Sequence, residues 1–184
     1  MITLSDLSTA QSRLEGVTIR TNLVEFKLCA EDPRRLLLKP ENQQPIGAFK
    51  LRGAYNKIAS LSPDERNRGV ISYSSGNHAQ GVAYAARALK TKAVIVMPNN
   101  APAIKREATA NLGAEIVLVG PGSDERKTKA EELAAHHGYV IVPPYNDEQI
   151  IAGQGTIGLE ILEDLPEVAA DGFAFRGNRL CRLG

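Results

Sequence analysis

Lys50 occupies a position at which a lysine can act as a nucleophile. It follows the small residues Gly47 and Ala48 and opens the stretch KLRGAYNKI, whose apolar spacing predicts a helix. At the first turn of a helix the positive end of the dipole disfavours an ammonium group, and partial burial acts in the same direction. Both effects favour the neutral amine, which attacks carbonyls and aldehydes. The alternative is an ordinary solvated lysine, the commoner state of this residue type.

A second candidate site is the turn SSGNH, residues 74–78, between an apolar run and an Ala-rich stretch. A helix that starts there offers backbone N–H groups to an anion such as a carboxylate, and Gly76 lets a ligand approach the backbone. Asn77 can donate to an oxygen, and Ser75 can carry a proton. The alternative is a plain loop in which Asn77 or Ser75 caps the helix. A histidine such as His78 is more often structural than catalytic.

The elements that position these residues follow a regular pattern from residue 69 onward. Short Val/Ile-rich runs alternate with helical stretches, which indicates strands buried on both faces and therefore a parallel sheet covered by helices. Ile104, Ala108 and Leu112 fall on one face of a predicted helix. Ser123 is predicted to cap the next helix, and Gly138 to end it. The runs are VISY, AVIVM, EIVLV and YVIVPP.

Two polar, turn-rich segments, SPDERNRG and PPYND, suggest domain boundaries. Residues 69–144 are predicted to form a small α/β subdomain. Residues 1–68 and 145–184 are predicted to form an incomplete larger domain, in which residues 145–165 are one helix and residues 171–184 are an atypical tail.

Composition excludes several classes of function. The 184 residues carry a net charge of +1 with both signs interspersed, so neither a nucleic acid nor a membrane is an expected partner. The two cysteines, Cys29 and Cys181, have no metal-ligand spacing, so we expect no metal site and no disulfide framework. The start of the chain lacks a signal-peptide pattern, and the longest apolar run is far too short to cross a bilayer. We therefore expect a cytoplasmic protein.

Three stretches of this chain carry a family resemblance: ENQQPIGAFKLRGAYNKI, SSGNHAQGVAYAAR and AGQGTIGLEIL. In their order and spacing, from about residue 14 to about residue 165, they resemble the serine/threonine dehydratases and their serine-racemase relatives. The resemblance implies a pyridoxal-phosphate (pyridoxal 5'-phosphate) enzyme of the tryptophan-synthase-β type, fold type II, with a three-layer α/β fold and a parallel sheet. It also implies a small amino-acid substrate and, for a full-length member, a homodimer.

The resemblance assigns roles to six residues. Lys50 matches the lysine that binds pyridoxal phosphate as a Schiff base and then moves the substrate Cα proton. Phe49 matches the residue beside the cofactor ring, and Asn77 the donor to its phenolic oxygen. Ser75, Gly76, Asn77 and His78 match the loop that holds the substrate carboxylate, and Ser75 also matches the serine that serves the opposite face of Cα in the racemases. The implied reaction converts L-threonine or L-serine into a 2-oxo acid and ammonia.

The chain departs from the family pattern after GTIGLEIL. The family continues there with a strand and a glycine run that grips the cofactor phosphate, whereas this chain reads PEVAADGFAFRGNRLCRLG. We therefore expect a truncated member, and a non-catalytic fragment unable to retain the cofactor is the alternative to the dehydratase and to the racemase. The last nine residues show no helical or strand period. Their arginines, Arg176, Arg179 and Arg182, fit a solvated end better than a nucleic-acid-binding arm.

GQGTIG, residues 153–158, matches the dinucleotide-binding pattern G-x-G-x-x-G. That fingerprint requires a strand directly before it, and the preceding DEQIIA is predicted to be helical. We therefore interpret these glycines as positions of close helix packing. The sequence leaves open the choice between serine and threonine and the choice between dehydration and racemisation.

Overall fold

The computed structural model of the chain describes residues 1–27 and 35–167, and beyond them only the backbone of two short strands. Cys29, Arg176 and Arg182 therefore lie outside the described residues. The helices are α1 (Leu4–Leu14), α2 (Lys50–Ala59), α3 (Pro63–Arg68), α4 (Asn77–Ala88), α5 (Ala103–Asn111), α6 (Ser123–His137) and α7 (Glu148–Asp164). The strands are β1 (Val24–Phe26), β2 (Leu36–Leu38), β3 (Val70–Tyr73), β4 (Ala93–Pro98), β5 (Glu115–Val119), β6 (Val140–Ile141), β7 (Phe173–Phe175) and β8 (Arg179–Cys181).

The central sheet has the strand order β5-β4-β3-β6, and every neighbouring pair is parallel. The chain steps from β3 through β4 to β5 by way of α4 and α5, and then returns past both inner strands through α6 to reach β6. Because parallel crossovers are right-handed, the two directions place their helices on opposite faces. The predicted three-layer parallel α/β fold is confirmed.

The two faces of the sheet bury different apolar sets. On one face Val82 and Ala86 of α4 pack against Ile95 and Met97 of β4. The opposite face packs Ala130 of α6 against strand residues such as Val94. The sheet is therefore covered on both sides, which is why its strands are continuous apolar runs.

α2 lies between α4 and α7 and carries the predicted apolar stripe. Leu51 and Ile58 are completely buried. A Cβ added to Gly153 of α7 would lie 2.6 Å from the Arg52 carbonyl oxygen and 2.7 Å from the Gly53 Cα. GQGTIG lies within α7 and is helical, as predicted. The prediction of close helix packing holds for Gly153 and is wrong for Gly158, where an added Cβ would meet nothing within 4 Å.

The helix predicted around Ile104, Ala108 and Leu112 forms as α5. Ile104 itself is 75% exposed, because α5 buries only Thr109 and the end of its apolar face. Two local predictions are wrong. Gly122 occupies the N-cap position of α6, and Ser123 is its first residue; the first-turn acid Glu125 lies against Gly122 and complements the helix start instead. The tail residues pair as an antiparallel ribbon, β7 with β8, because strands of three residues are too short to show a period.

All four strands of the central sheet fall within the predicted subdomain, residues 69–144, and the domain division itself stays a prediction. The helices of the described part of the chain include none long and apolar enough to cross a membrane.

Candidate active site

The sheet has one topological switch point, between the adjacent strands β3 and β6. After β3 the chain turns into α4, which leads toward β4, whereas β6 is reached from the opposite edge of the sheet. Ligands of open α/β sheets bind in the crevice beyond the carboxyl ends of such a strand pair. Residues 74–77 follow β3, and Val142 and Pro144 follow β6, so both groups border this crevice.

Lys50 reaches the same crevice from α2. It is the first residue of that helix and is half-buried. Its Nζ donates a hydrogen bond to the carbonyl oxygen of Pro144 at 2.9 Å and lies 5.3 Å from the centroid of the Phe49 ring. Burial lowers the pKa of the Lys50 amine. The amine therefore lies at the crevice rather than in bulk solvent, with its neutral form favoured as the sequence predicted.

The start of α4 faces this lysine. A Cβ on Gly81 would lie 3.0 Å from the Lys50 carbonyl oxygen, so the two helices touch at their backbones. Burial, with a smaller contribution from the charge of Lys50, lowers the pKa of His78 to about 4. The structure therefore brings Lys50 together with the helix that begins at Asn77.

The turn before α4 leaves its helix start open. Gly76 holds the N-cap position, and no side chain caps the helix there. Asn77 is the first helical residue and is exposed, so the interpretation of Asn77 or Ser75 as a plain cap is wrong. A Cβ added to Gly76 would meet no heavy atom within 4 Å. The first N–H groups of α4 thus border open space, an arrangement that favours an anion.

The side chain of His78 is buried inside the protein, whereas its backbone N–H lies at the start of α4. The imidazole is buried, and its Nε2 lies 3.1 Å from the Val142 carbonyl oxygen. Because the low pKa keeps the ring neutral, Nε2–H donates to that oxygen and the buried Nδ1 has no partner among the described residues. Only the backbone N–H of His78 remains available to a ligand in the crevice.

Sequence reasoning missed the backbone acceptors of the site. The Val142 carbonyl also accepts a hydrogen bond from the Ser72 hydroxyl at 2.7 Å. The Pro144 carbonyl accepts from Lys50. The carbonyl oxygens of Val142 and Pro144, both just after β6, therefore bind side chains from α2, β3 and α4. Every residue type contributes a carbonyl, so no side-chain pattern could have identified these two.

No group of three or more His, Cys, Asp or Glu side chains is arranged to hold a metal ion in the part of the chain that the structure describes.

Comparison with known proteins identifies relatives of this architecture. The sequence profile of the family described as "Pyridoxal-phosphate dependent enzyme" matches residues 14–174. The chain is 52% identical over 169 residues to the L-threonine ammonia-lyase of Thermotoga maritima. The aligned region covers 91% of this chain and 42% of that protein.

Two solved structures are similar in fold. The serine racemase of Dictyostelium discoideum has a TM-score of 0.85 and 34% identity, over 91% of this chain and 55% of that one. The processed form of threonine deaminase isoform 2 from Solanum lycopersicum has a TM-score of 0.84 and 41% identity, over 90% of this chain and 46% of that one.

The chain thus spans about half the length of these relatives. The profile match begins at the last residue of α1 and extends past α7, across the sheet, the lysine and the open turn. The architecture is that of fold type II, and the chain belongs to the family of pyridoxal-phosphate dependent enzymes.

Proposed function

We propose that this chain carries the lysine and the substrate-binding turn of an ammonia-lyase (dehydratase) that converts L-threonine or L-serine into a 2-oxo acid and ammonia. The observation that carries the proposal is the half-buried Lys50 amine, 2.9 Å from the Pro144 carbonyl oxygen at the switch point of the sheet. The named activities of the ammonia-lyase and deaminase relatives support this substrate class.

The residues present fit the reactive end of pyridoxal phosphate. Lys50 would hold its aldehyde carbon, Phe49 would pack beside its ring, and Asn77 would donate to its phenolic oxygen. The open space beside Gly76 leaves room for the ring and for a substrate carboxylate. A phosphate group is gripped in the family by a glycine run, and the sequence after α7 contains none.

Each side chain has a definite task in the proposed reaction. Pyridoxal phosphate, when bound, supplies the electron sink for the substrate. The Lys50 amine would take the proton from the substrate Cα, and burial, which lowers its pKa, favours the neutral form that this step needs. The first N–H groups of α4, with the Ser75 hydroxyl and the Gly76 backbone, hold the carboxylate. The β-hydroxyl would leave as water with the proton taken from Cα, and hydrolysis of the resulting enamine, through its imine tautomer, would consume one water and give the 2-oxo acid and ammonia.

Racemisation of serine is the second candidate. The half-buried Ser75 lies on the turn that borders the crevice, and a racemase needs a proton donor on the face of Cα opposite the lysine. The likeness to a solved serine racemase supports this reading. A cytoplasmic location and, for the complete enzyme, a homodimer are part of the same proposal.

Product analysis of matched variants tests the proposal. The purified chain, Lys50→Ala, Ser75→Ala and Lys57→Ala are incubated with pyridoxal phosphate and L-threonine or L-serine, and 2-oxo acid and D-amino acid are measured. Dehydration requires Lys50 and leaves Lys57→Ala active. A D-amino acid that depends on both Lys50 and Ser75 would favour the racemase. Failure to retain the cofactor, together with the absence of both products, would indicate the non-catalytic fragment, because the relatives whose activities are named are about twice as long.

A further inference from the structure

A buried ion cluster lies on the side of α2 away from the crevice. Its centre is Arg52, whose side chain is completely buried. The guanidinium uses all five of its donors: two bonds reach Glu41, at 2.8 Å each, two reach Glu160, at 2.6 and 3.1 Å, and one reaches the Thr156 hydroxyl at 3.1 Å. Arg52 thus ties α2 to the turn Glu41–Gln43 and to α7.

The cluster is balanced in charge. Lys39 lies 2.8 Å from a Glu160 oxygen, and its Nζ also donates to the Thr21 carbonyl at 2.7 Å. Two cations therefore face two carboxylates, and their side chains are between 0 and 11% exposed. At the edge of the cluster Lys39 also lies 3.6 Å from the more exposed Asp164 carboxylate, which pairs with Arg20. Loss of one member leaves a buried charge without its partner, which is far more costly than loss of a surface pair.

The cluster adjoins the residue that the active site depends on. Lys50 is the first residue of α2 and Arg52 the third, and the Arg52 N–H bonds the Phe49 carbonyl at 3.0 Å. The first turn of α2 contains no acidic residue, and no side chain caps it. The Arg52 cation near the positive end of this helix, beside the Lys50 amine, is unfavourable unless negative charge comes from elsewhere. Glu41 and Glu160 supply that charge from outside the helix.

We propose that the ion cluster of Arg52, Lys39, Glu41 and Glu160 is a positioning device that fixes the first turn of α2 and so holds the Lys50 amine at the crevice. The inference rests on the function proposed for Lys50. A small displacement of a reacting group has a large effect on its reactivity. Arg52 acts here through Lys50 and does not itself touch the substrate.

The chain offers a matched control for this role. Lys57 and Asp147 form a second ion pair between the same two helices, with 2.7 Å between Nζ and Oδ2. This pair lies two helical turns beyond Lys50. Its loss weakens the contact between α2 and α7 without reaching the first turn of α2.

Two readouts on the purified chain test the proposal. The first is attachment of pyridoxal phosphate to Lys50, trapped with borohydride and located by peptide mass spectrometry. The second is the pH midpoint of trace acetylation of Lys50, measured against the exposed Lys127. In Arg52→Met we expect attachment at sub-saturating cofactor to fall about tenfold or more and the midpoint to rise toward that of a solvated lysine. In Lys57→Met we expect both to stay near the parent values.

A folded Arg52→Met variant with parent values in both readouts would overturn the proposal. If circular dichroism shows that Arg52→Met does not fold, Glu160→Gln is measured instead, because it keeps the shape of the side chain and removes its charge. A fall in attachment and a rise of the acetylation midpoint in that variant support the proposal. Parent values in both readouts overturn it. Failure of the parent chain to attach the cofactor would count against the proposed function alone. The acetylation midpoints would then still decide whether Arg52 positions Lys50.

Discussion

The Lys50 amine donates to the Pro144 carbonyl oxygen at 2.9 Å, which joins the first turn of α2 to the chain just beyond β6. Lys39, by contrast, faces the Glu160 carboxylate. A partly buried amine bonded to a neutral carbonyl gains no ion-pair energy that would hold its proton, so burial dominates and lowers its pKa. Lys50 is therefore a lysine of lowered pKa at the switch point of the sheet.

Replacement of Lys50 by methionine should change how stability depends on pH. The pKa of Lys50 is lower in the folded state than the ordinary value of 10.5. Between the two values the unfolded chain binds more protons, so the contribution of Lys50 to stability rises with pH in that window. Urea unfolding at several values from neutral to alkaline pH should show the parent gaining stability relative to Lys50→Met as pH increases. A relative loss would contradict the burial of this amine.

His78 should make the fold sensitive to acid. Its pKa of about 4 lies below the ordinary 6.5 because the ring is buried. The contribution of neutral His78 to the free energy of unfolding is fully present above about pH 6.5. Between pH 6.5 and 4 the parent should lose about 3 kcal/mol of stability relative to His78→Gln. Urea unfolding of both proteins over this range measures the difference, and an NMR titration should find the His78 ring neutral at pH 6. If the unfolding free energies of the parent and His78→Gln changed equally with pH, the buried neutral state of His78 would be contradicted.

Substitution of Gly153 by alanine should weaken the contact between α2 and α7. The new Cβ would meet backbone atoms of Arg52 and Gly53 at 2.6 and 2.7 Å, so the helices must move apart. We expect a loss of about 2 kcal/mol in the free energy of unfolding. Gly158→Ala on the same helix is the control, because a Cβ there meets nothing within 4 Å. That variant should gain up to about 1 kcal/mol from helix propensity, and equal effects of the two changes would be inconsistent with the close approach.

Substitution of Gly76 by alanine should weaken substrate binding and leave the stability of the fold nearly unchanged. No heavy atom lies within 4 Å of the added methyl group, so the unfolding free energy should stay within about 0.5 kcal/mol of the parent. The methyl group would occupy the open side of the turn where the substrate carboxylate is proposed to lie. We expect weaker binding of L-serine in calorimetry with the cofactor-loaded chain. Undiminished binding would place the carboxylate elsewhere.

The fold was largely predictable because it depends on local patterns. The strands around Val70 and Ala93 are apolar runs, and Gly138 ends α6 in the left-handed conformation expected of it. The cap of α6 was misassigned because Ser123 and the adjacent Gly122 offer nearly equivalent starts in sequence. Tertiary packing decides between such neighbours.

The side chains proposed for the candidate site carry a sequence signal, and its backbone acceptors do not. Lys50, Ser75 and Asn77 were predicted from residue type and from the family resemblance, and their roles stay predictions. The Pro144 carbonyl carries no sequence signal, and it becomes a partner only when α2 is placed beside the end of β6. The role of Arg52 carries no local sequence signal either, because its partner Glu160 lies more than a hundred residues away in the chain.

The most direct test of the central claim is covalent attachment of pyridoxal phosphate to the purified chain. After incubation with the cofactor and reduction with borohydride, peptide mass spectrometry locates the modified lysine. We predict stable modification at Lys50, abolished in Lys50→Ala and retained in Lys57→Ala. Modification spread over exposed lysines such as Lys127, or unchanged in Lys50→Ala, would contradict the assignment of Lys50 as the cofactor-binding residue.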